Sequence, residues 1–206
     1  MKKVFSVAIA ATLLLAPFIV FGQEQAPAPN IKAGDFWQFK AREYDFVGSS
    51  SNRVNGIYEI SYLEGGAKFF YLTGDKKEEL DPKTLAGAVL FAYLGRGKIF
   101  QDLKFPLSVG DKWNYEYRGA AAGGKAKARS VEIRVTGVEQ VTTAAGTFRA
   151  FKLEKDDRTG PRDFWLTSFY YSPETKSVVK SFLDGSSGTG SGGKREIELI
   201  KFGSAP

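Results

Sequence analysis

One seven-residue pattern constrains what this chain can fold into: Ala33-Gly34-Asp35-Phe36-Trp37-Gln38-Phe39 recurs 76 residues later as Val109-Gly110-Asp111-Lys112-Trp113-Asn114-Tyr115. In each copy the glycine can take a positive φ without steric cost, and the aspartate beside it can accept from backbone amides of the same turn. The residues after the turn alternate. Trp113, Tyr115 and Tyr117 fall on one face, and Lys112, Asn114, Glu116 and Arg118 on the other, the period of two expected for a strand with one wet side. Trp37 and Phe39 begin the same pattern in the first copy, where the parity slips near Arg42 to Tyr44 and suggests a bulge. Two copies are too few for a solenoid and indicate a duplicated set of hairpins.

The same alternation runs through Val131, Ile133 and Val135, and again through Ile197 and Leu199. Ala145-Gly146 and Ser172-Pro173-Glu174-Thr175 read as tight turns between strands. The segment from Phe164 to Tyr171 differs, with Trp165, Phe169 and Tyr171 on one face and Phe164, Leu166 and Tyr170 on the other. Such a strand is buried on both sides or lines a concave face. Pro82 to Leu94 is the one helix candidate, with Asp81 as cap and Pro82 at the first helical position; Gly87 and the run Val89-Leu90-Phe91 tilt the reading toward strand. Gly123-Gly124 and Asp184 to Gly193 read as flexible hairpin tips, too polar to offset their ordering entropy.

The amino terminus reads as an export signal: Met1-Lys2-Lys3, an apolar stretch from Val4 to Phe21, then Gly22 before polar Gln23-Glu24-Gln25. Cleavage after Gly22 leaves 184 residues, enough for about 70% of the unfolded chain's surface to be buried. Pro17 and the small residue at the scissile bond favour a cleaved signal over a retained membrane span. With no cysteine in the chain, an acylated lipid anchor and disulfides are excluded. Residues 23–30, rich in Pro and Ala, read as an extended tether, and residues 31–203 as a single β domain of two tandem halves, 31–105 and 106–203.

Elimination defines most of the chemistry. The chain has no histidine and no cysteine, so a Ser-His-Asp triad, a thiol nucleophile and a His/Cys zinc site are all unavailable. Asp156-Asp157 precedes Thr159-Gly160-Pro161 and reads as part of a turn rather than a calcium site. Gly188 to Lys194 imitates a phosphate-binding loop, but Arg195 stands where Ser or Thr is required and a strand follows where a helix is needed. Ser177-Val178-Val179-Lys180 lacks the companion motifs of serine acyl enzymes. Strand carboxylates such as Glu132, Glu139, Glu154, Glu196 and Glu198 fall mostly on outward positions, where no burial shifts their acidity. The net charge of +6, which becomes +4 once Lys2 and Lys3 are removed, is spread singly along the chain and forms no nucleic-acid-binding stripe.

Aromatic residues are the one abundant resource, with three Trp, nine Tyr and seventeen Phe. They are the ordinary material of a β core. A strongly curved sheet could instead leave them lining an apolar cleft, and Trp37, Trp113, Tyr115, Phe148, Trp165 and Tyr171 are the residues placed to do so.

Phe105-Pro106-Leu107, Val109-Gly110-Asp111-Lys112-Trp113, Val138 with Ala145-Gly146-Thr147-Phe148-Arg149-Ala150-Phe151-Lys152-Leu153, Phe164-Trp165, Tyr171-Ser172-Pro173-Glu174 and Val178-Val179-Lys180 together resemble a recurring exported bacterial domain of unknown function, over residues 105–202. Such domains are similar in outline to the open β half-barrels of periplasmic lipoprotein carriers. The resemblance implies an antiparallel sheet curled around an apolar concavity, and it brings no catalytic residues.

The expectation is therefore an all-β or mainly β protein, a curved antiparallel sheet, half-barrel or sandwich built from two related hairpin sets behind a signal-peptide helix. It is expected to be exported to the periplasm or the extracellular space, to be non-enzymatic, and to use neither metal nor cofactor. The leading partner is a hydrophobic small molecule or an envelope component; a module docking protein or polysaccharide is the alternative, and a hydrolase the third reading. No nucleic-acid partner and no membrane span after signal cleavage are expected, and the oligomeric state is left open.

Overall fold

The computed structural model describes residues 24–47, 55–81, 102–119, 127–186 and 192–204, with the side chains of 45–47 excepted. The expected signal peptide at 1–22, Gly123-Gly124, residues 187–191 of the expected Asp184 to Gly193 tip and the segment Pro82 to Leu94 lie outside them. Twelve strands occur among the described residues: β1 Gln25–Ala26, β2 Asp35–Val47, β3 Gly56–Leu63, β4 Gly66–Thr73, β5 Lys76–Leu80, β6 Leu107–Ser108, β7 Lys112–Gly119, β8 Lys127–Thr143, β9 Gly146–Gly160, β10 Asp163–Ser172, β11 Ser177–Ser186 and β12 Gly192–Ser204. No helix occurs among the described residues.

Ten strands form one sheet in the order β5-β4-β3-β2-β12-β11-β10-β9-β8-β7, with every pairing antiparallel. Its end strands, β5 and β7, do not pair with each other, so the sheet is open and not a closed barrel. The remaining two strands make a small ladder in which Gln25 and Ala26 pair with Ser108 and Leu107. Part of the Pro/Ala-rich segment is thus hydrogen-bonded to the domain, with Ala26 buried.

The sheet curls. Phe148 on β9 and Phe202 on β12 meet edge to face at 5.7 Å between centroids. In a flat sheet strands three places apart would lie about 14 Å apart. The interior face carries Trp113, Val131, Ile133, Leu153, Phe169, Ile197, Phe39 and Trp37, all buried in one core cluster.

The two Gly-Asp turns that launch β2 and β7 are built alike. Gly34 has φ 94° and Gly110 φ 95°, the left-handed region that favours glycine. Asp35 Oδ2 accepts from the Lys32 amide at 2.9 Å, and Asp111 Oδ2 from the Ser108 amide at 2.8 Å. Each glycine amide then donates to a neighbouring strand, Gly34 to the Tyr62 carbonyl at 2.7 Å and Gly110 to the Val135 carbonyl at 2.8 Å. The aspartate satisfies a turn amide that would otherwise be unpaired, and the glycine amide fixes where the new strand enters the sheet.

Three local expectations are corrected. The break in alternation at Arg42 to Tyr44 is not a bulge: Arg42, Glu43 and Tyr44 pair in register with Glu196, Arg195 and Lys194, and the irregularity lies between Tyr44 and Val47. The pattern breaks because the inward position is taken by a charged residue, Glu43, matched to Arg195. Asp156-Asp157 is no turn either, since both residues lie in β9 and Asp157 is buried on the interior side. Finally, Asp184 to Ser186 and Gly192-Gly193 are paired strand, with Gly185 buried.

Candidate functional site

The residues expected to line an interior cleft are mostly enclosed. Trp37 is 2% exposed, Trp113 9%, Tyr115 8%, Phe148 3% and Tyr171 0%, and all five belong to one core cluster. Trp165 is half-buried, with its indole lying over Gly185 of the adjacent strand. Several are tied by polar contacts. Trp37 Nε1 donates to the Thr175 carbonyl at 2.6 Å, and the Tyr115 hydroxyl to Asp102 Oδ1 at 2.5 Å. Burial, reinforced by the Asp102 carboxylate, pushes the Tyr115 phenol far above its usual range and keeps it a donor.

Charged groups share this interior face. Asp157 accepts from Arg129 Nε at 2.5 Å and from the Tyr117 hydroxyl at 2.7 Å, while Arg129 Nη1 reaches Asp163 at 2.9 Å. Lys155 Nζ spans Asp102 at 2.8 and 2.9 Å. Arg195 holds Glu43 Oε1 through Nε at 2.9 Å and Nη2 at 2.5 Å. The second oxygen, Glu43 Oε2, is buried without a hydrogen-bond partner, as are the Tyr171 hydroxyl and Ser172 Oγ. Each of the three ion pairs offsets the desolvation of its partner.

The opposite face of the sheet is open, and register lays its side chains out in rows. One row runs across six strands as Glu132, Asp156, Leu166, Asp184, Lys194, Tyr44, and the next as Arg134, Glu154, Ser168, Phe182, Glu196, Arg42. Tyr44, Leu166 and Phe182 are three of the large apolar residues left exposed, at 42%, 41% and 42%. They line a groove of 410 Å³ with Asp184, Lys194 and Glu196. A second groove of 300 Å³, walled by Glu132, Arg134, Glu154 and Asp156, shares Leu166 and Ser168 with the first. The two therefore adjoin at Leu166 and Ser168, and together their walls reach from β8 to β2.

Charges along these rows are largely matched in pairs. Lys180 Nζ lies 3.1 Å from Glu196, Lys194 Nζ 3.7 Å from Asp184, Lys112 Nζ 2.6 Å from Glu132, and Arg158 Nε 2.5 Å from Asp156. The Tyr44 hydroxyl donates to Glu196 at 3.2 Å. Lys180 also sits 5.0 Å above the Phe182 ring.

A third groove on this outer face, of 320 Å³, lies beside the first Gly-Asp turn and is walled in part by Phe36, Gln38, Ser61 and Leu63. At its base Glu59 is buried and accepts from Gln38 Nε2 at 2.9 Å, Ser61 Oγ at 2.5 Å and Lys77 Nζ at 2.6 Å. Burial opposes ionisation of Glu59, but these donors outweigh it and lower its pKa. Such a carboxylate is a fixed anion and not a proton donor at neutral pH.

The outer groove was not among the sequence-derived candidates. Its signal was present in the second apolar face of Phe164 to Tyr171, but Tyr44 and Phe182 join it only through strand register.

No family model matches the chain and no curated protein matches it. Solved structures similar to it include the hypothetical lipoprotein YmcC of Escherichia coli, 14% identical with a TM-score of 0.43, covering 83% of this chain and 85% of that one. A candidate lipoprotein of Parabacteroides distasonis is 11% identical with a TM-score of 0.36, covering 88% of this chain and 100% of its own. A candidate exported protein with a YmcC-like fold from Bacteroides fragilis is 10% identical with a TM-score of 0.35, covering 87% and 100% respectively. At these scores the likeness is one of outline.

Proposed function

We propose that this chain is an exported, non-catalytic binding protein that engages an extended component of the cell envelope through the outer face of its open sheet. The observation that supports this most directly is the exposure of Tyr44, Leu166 and Phe182 along one continuous groove, while the interior aromatic residues are enclosed. Large apolar side chains grouped on a surface and rimmed by polar groups are the usual mark of an interaction site. Export is supported by the basic, apolar and small-residue pattern of residues 1–22. The chain has no imidazole or thiol, and the groove carboxylates Asp184, Glu196 and Glu132 are engaged by Lys194, Lys180 and Lys112, an arrangement suited to holding a ligand.

Co-sedimentation of the purified chain with isolated envelope fragments tests the reading. The wild-type chain is expected to pellet with the fragments, and the triple variant Tyr44→Ser, Leu166→Ser, Phe182→Ser to pellet at least fivefold less. Equal sedimentation of the two would overturn it.

The runner-up, a carrier of a hydrophobic ligand in the curl of the sheet, has one observation in its favour. Glu43 Oε2 and the Tyr171 hydroxyl are buried without partners, and a ligand head group could satisfy them. Native mass spectrometry of chain purified from its own envelope separates the two readings, since a carrier retains lipid and an outer-face binder does not.

A further inference from the structure

We infer that the occupant of the outer groove is an electrically neutral glycan chain lying across the strands; this rests on the outer-face reading above and names its ligand class. Four observations lead there. The first is length: the two adjoining grooves together cross six strands from β8 to β2, about 24 Å at the usual strand spacing. A single small molecule fills a compact pocket, whereas a polymer uses a track.

The second observation is the composition of the walls. Leu166, Phe182 and Tyr44 are interspersed with Asp184, Lys194 and Glu196. A sugar ring is amphipathic in the same way, with C–H faces that rest on apolar and aromatic side chains and hydroxyl edges that both donate and accept. An acyl chain laid in this groove would strip water from Asp184, Lys194 and Glu196 and return no hydrogen bonds, which is costly.

The third is charge. Most carboxylates and cations of the groove are already matched, Lys194 to Asp184, Lys180 to Glu196, Lys112 and Arg134 to Glu132 and Arg158 to Asp156. Neither an anionic nor a cationic polymer finds an extended run of uncompensated opposite charge there. Ion pairs of this kind instead present donors and acceptors side by side, which suits neighbouring hydroxyls.

The fourth is direction. An extended peptide gains most of its affinity by adding a strand to a sheet edge, where unpaired backbone groups wait. On the face of a sheet the backbone groups already pair within it, and only side chains can contribute. The groove lies on the face and spans β10, β11 and β12, which are internal strands of the sheet.

The test is affinity electrophoresis and calorimetry of the full chain with chitohexaose, cellohexaose and laminarin as neutral probes, polygalacturonate and heparin as charged ones, and the matching disaccharides. At least one neutral hexasaccharide or polymer is expected to bind. Phe182→Ala and Tyr44→Ala are expected to weaken that binding at least tenfold while leaving the urea midpoint unchanged, and the disaccharide is expected to bind at least tenfold more weakly than the hexasaccharide. Binding of the charged probes alone, neutral binding indifferent to Phe182 and Tyr44, or no neutral probe bound would each overturn the glycan assignment. If the triple serine variant still loses envelope co-sedimentation in those cases, the outer-face reading stands and only the ligand class falls.

Discussion

Gly185 sits directly opposite Trp165 on the neighbouring strand, and the indole rests on its bare Cα. A methyl carbon added at Gly185 would lie 2.7 Å from Trp165 Cδ2 and 2.6 Å from the Phe164 carbonyl oxygen, inside any real contact distance. A glycine within a strand ordinarily weakens it, unless another group approaches that closely. Here the Gly/Ser composition of the β11–β12 end leaves room for an aromatic ring.

Gly185→Ala is therefore expected to destabilise the fold by about 1–3 kcal/mol, the usual cost of overpacking. Urea denaturation of the variant measures it. Adding Trp165→Ala should recover part of the loss, because the clash with the ring disappears while that with the Phe164 carbonyl persists. Full additivity of the two substitutions would count against this contact.

Glu43 and Arg195 form a nearly inaccessible pair, with side chains 2% and 8% exposed. Removing one member leaves a buried charge without compensation, so Arg195→Leu is expected to cost about 3–5 kcal/mol. The double change Glu43→Met with Arg195→Leu should cost clearly less than Arg195→Leu alone. A double variant as unstable as the single one would show that the pair does more than neutralise itself.

Acid should loosen the fold through Asp35, Glu59 and Asp163. Burial opposes the ionised form of each, but the donors around it outweigh that effect and hold each pKa below its ordinary value of 3.8, 4.5 and 3.8. For Asp35 those donors are Lys176 Nζ at 2.8 Å, the Lys32 amide at 2.9 Å and the Ser204 hydroxyl. A depressed folded pKa stabilises at pH values above the unfolded one, and the gain disappears as pH falls through the folded value. The urea midpoint should accordingly stay flat from about pH 8 to pH 6, there being no histidine, and fall at pH values below about 4.5. Asp35→Asn should lower the midpoint at neutral pH and flatten the acid limb; an unchanged limb would remove Asp35 from this account.

Tyr44, Leu166 and Phe182 are each more than two-fifths exposed, so their serine variants should alter stability by no more than about 0.5 kcal/mol each. Thermal denaturation beside the envelope assay separates loss of a surface from loss of a fold. A triple variant that unfolds early would show that these side chains pack more than their exposure implies.

The period-two runs after Trp37 and Trp113 announced strands, because alternation is written into the chain wherever one face is wet. The break at Arg42 to Tyr44 misled for a physical reason: hydrophobic patterning has no symbol for an inward ion pair, and Glu43 and Arg195 lie 152 residues apart. Asp157 misled in the same way, its partners Arg129 and Tyr117 being 28 and 40 residues distant. The interior aromatic residues were legible as inward-facing, but how tightly the sheet curls over them depends on contacts such as Phe148 with Phe202.

Local sequence determined that this chain would be a run of antiparallel hairpins launched from Gly-Asp turns, since backbone conformation at a glycine and side-chain alternation along a strand are near-neighbour effects. Tertiary structure alone decided the surface it presents. Tyr44, Leu166 and Phe182 come from three separate strands, and a shift of one residue in any register would turn a member of the groove to the other face of the sheet.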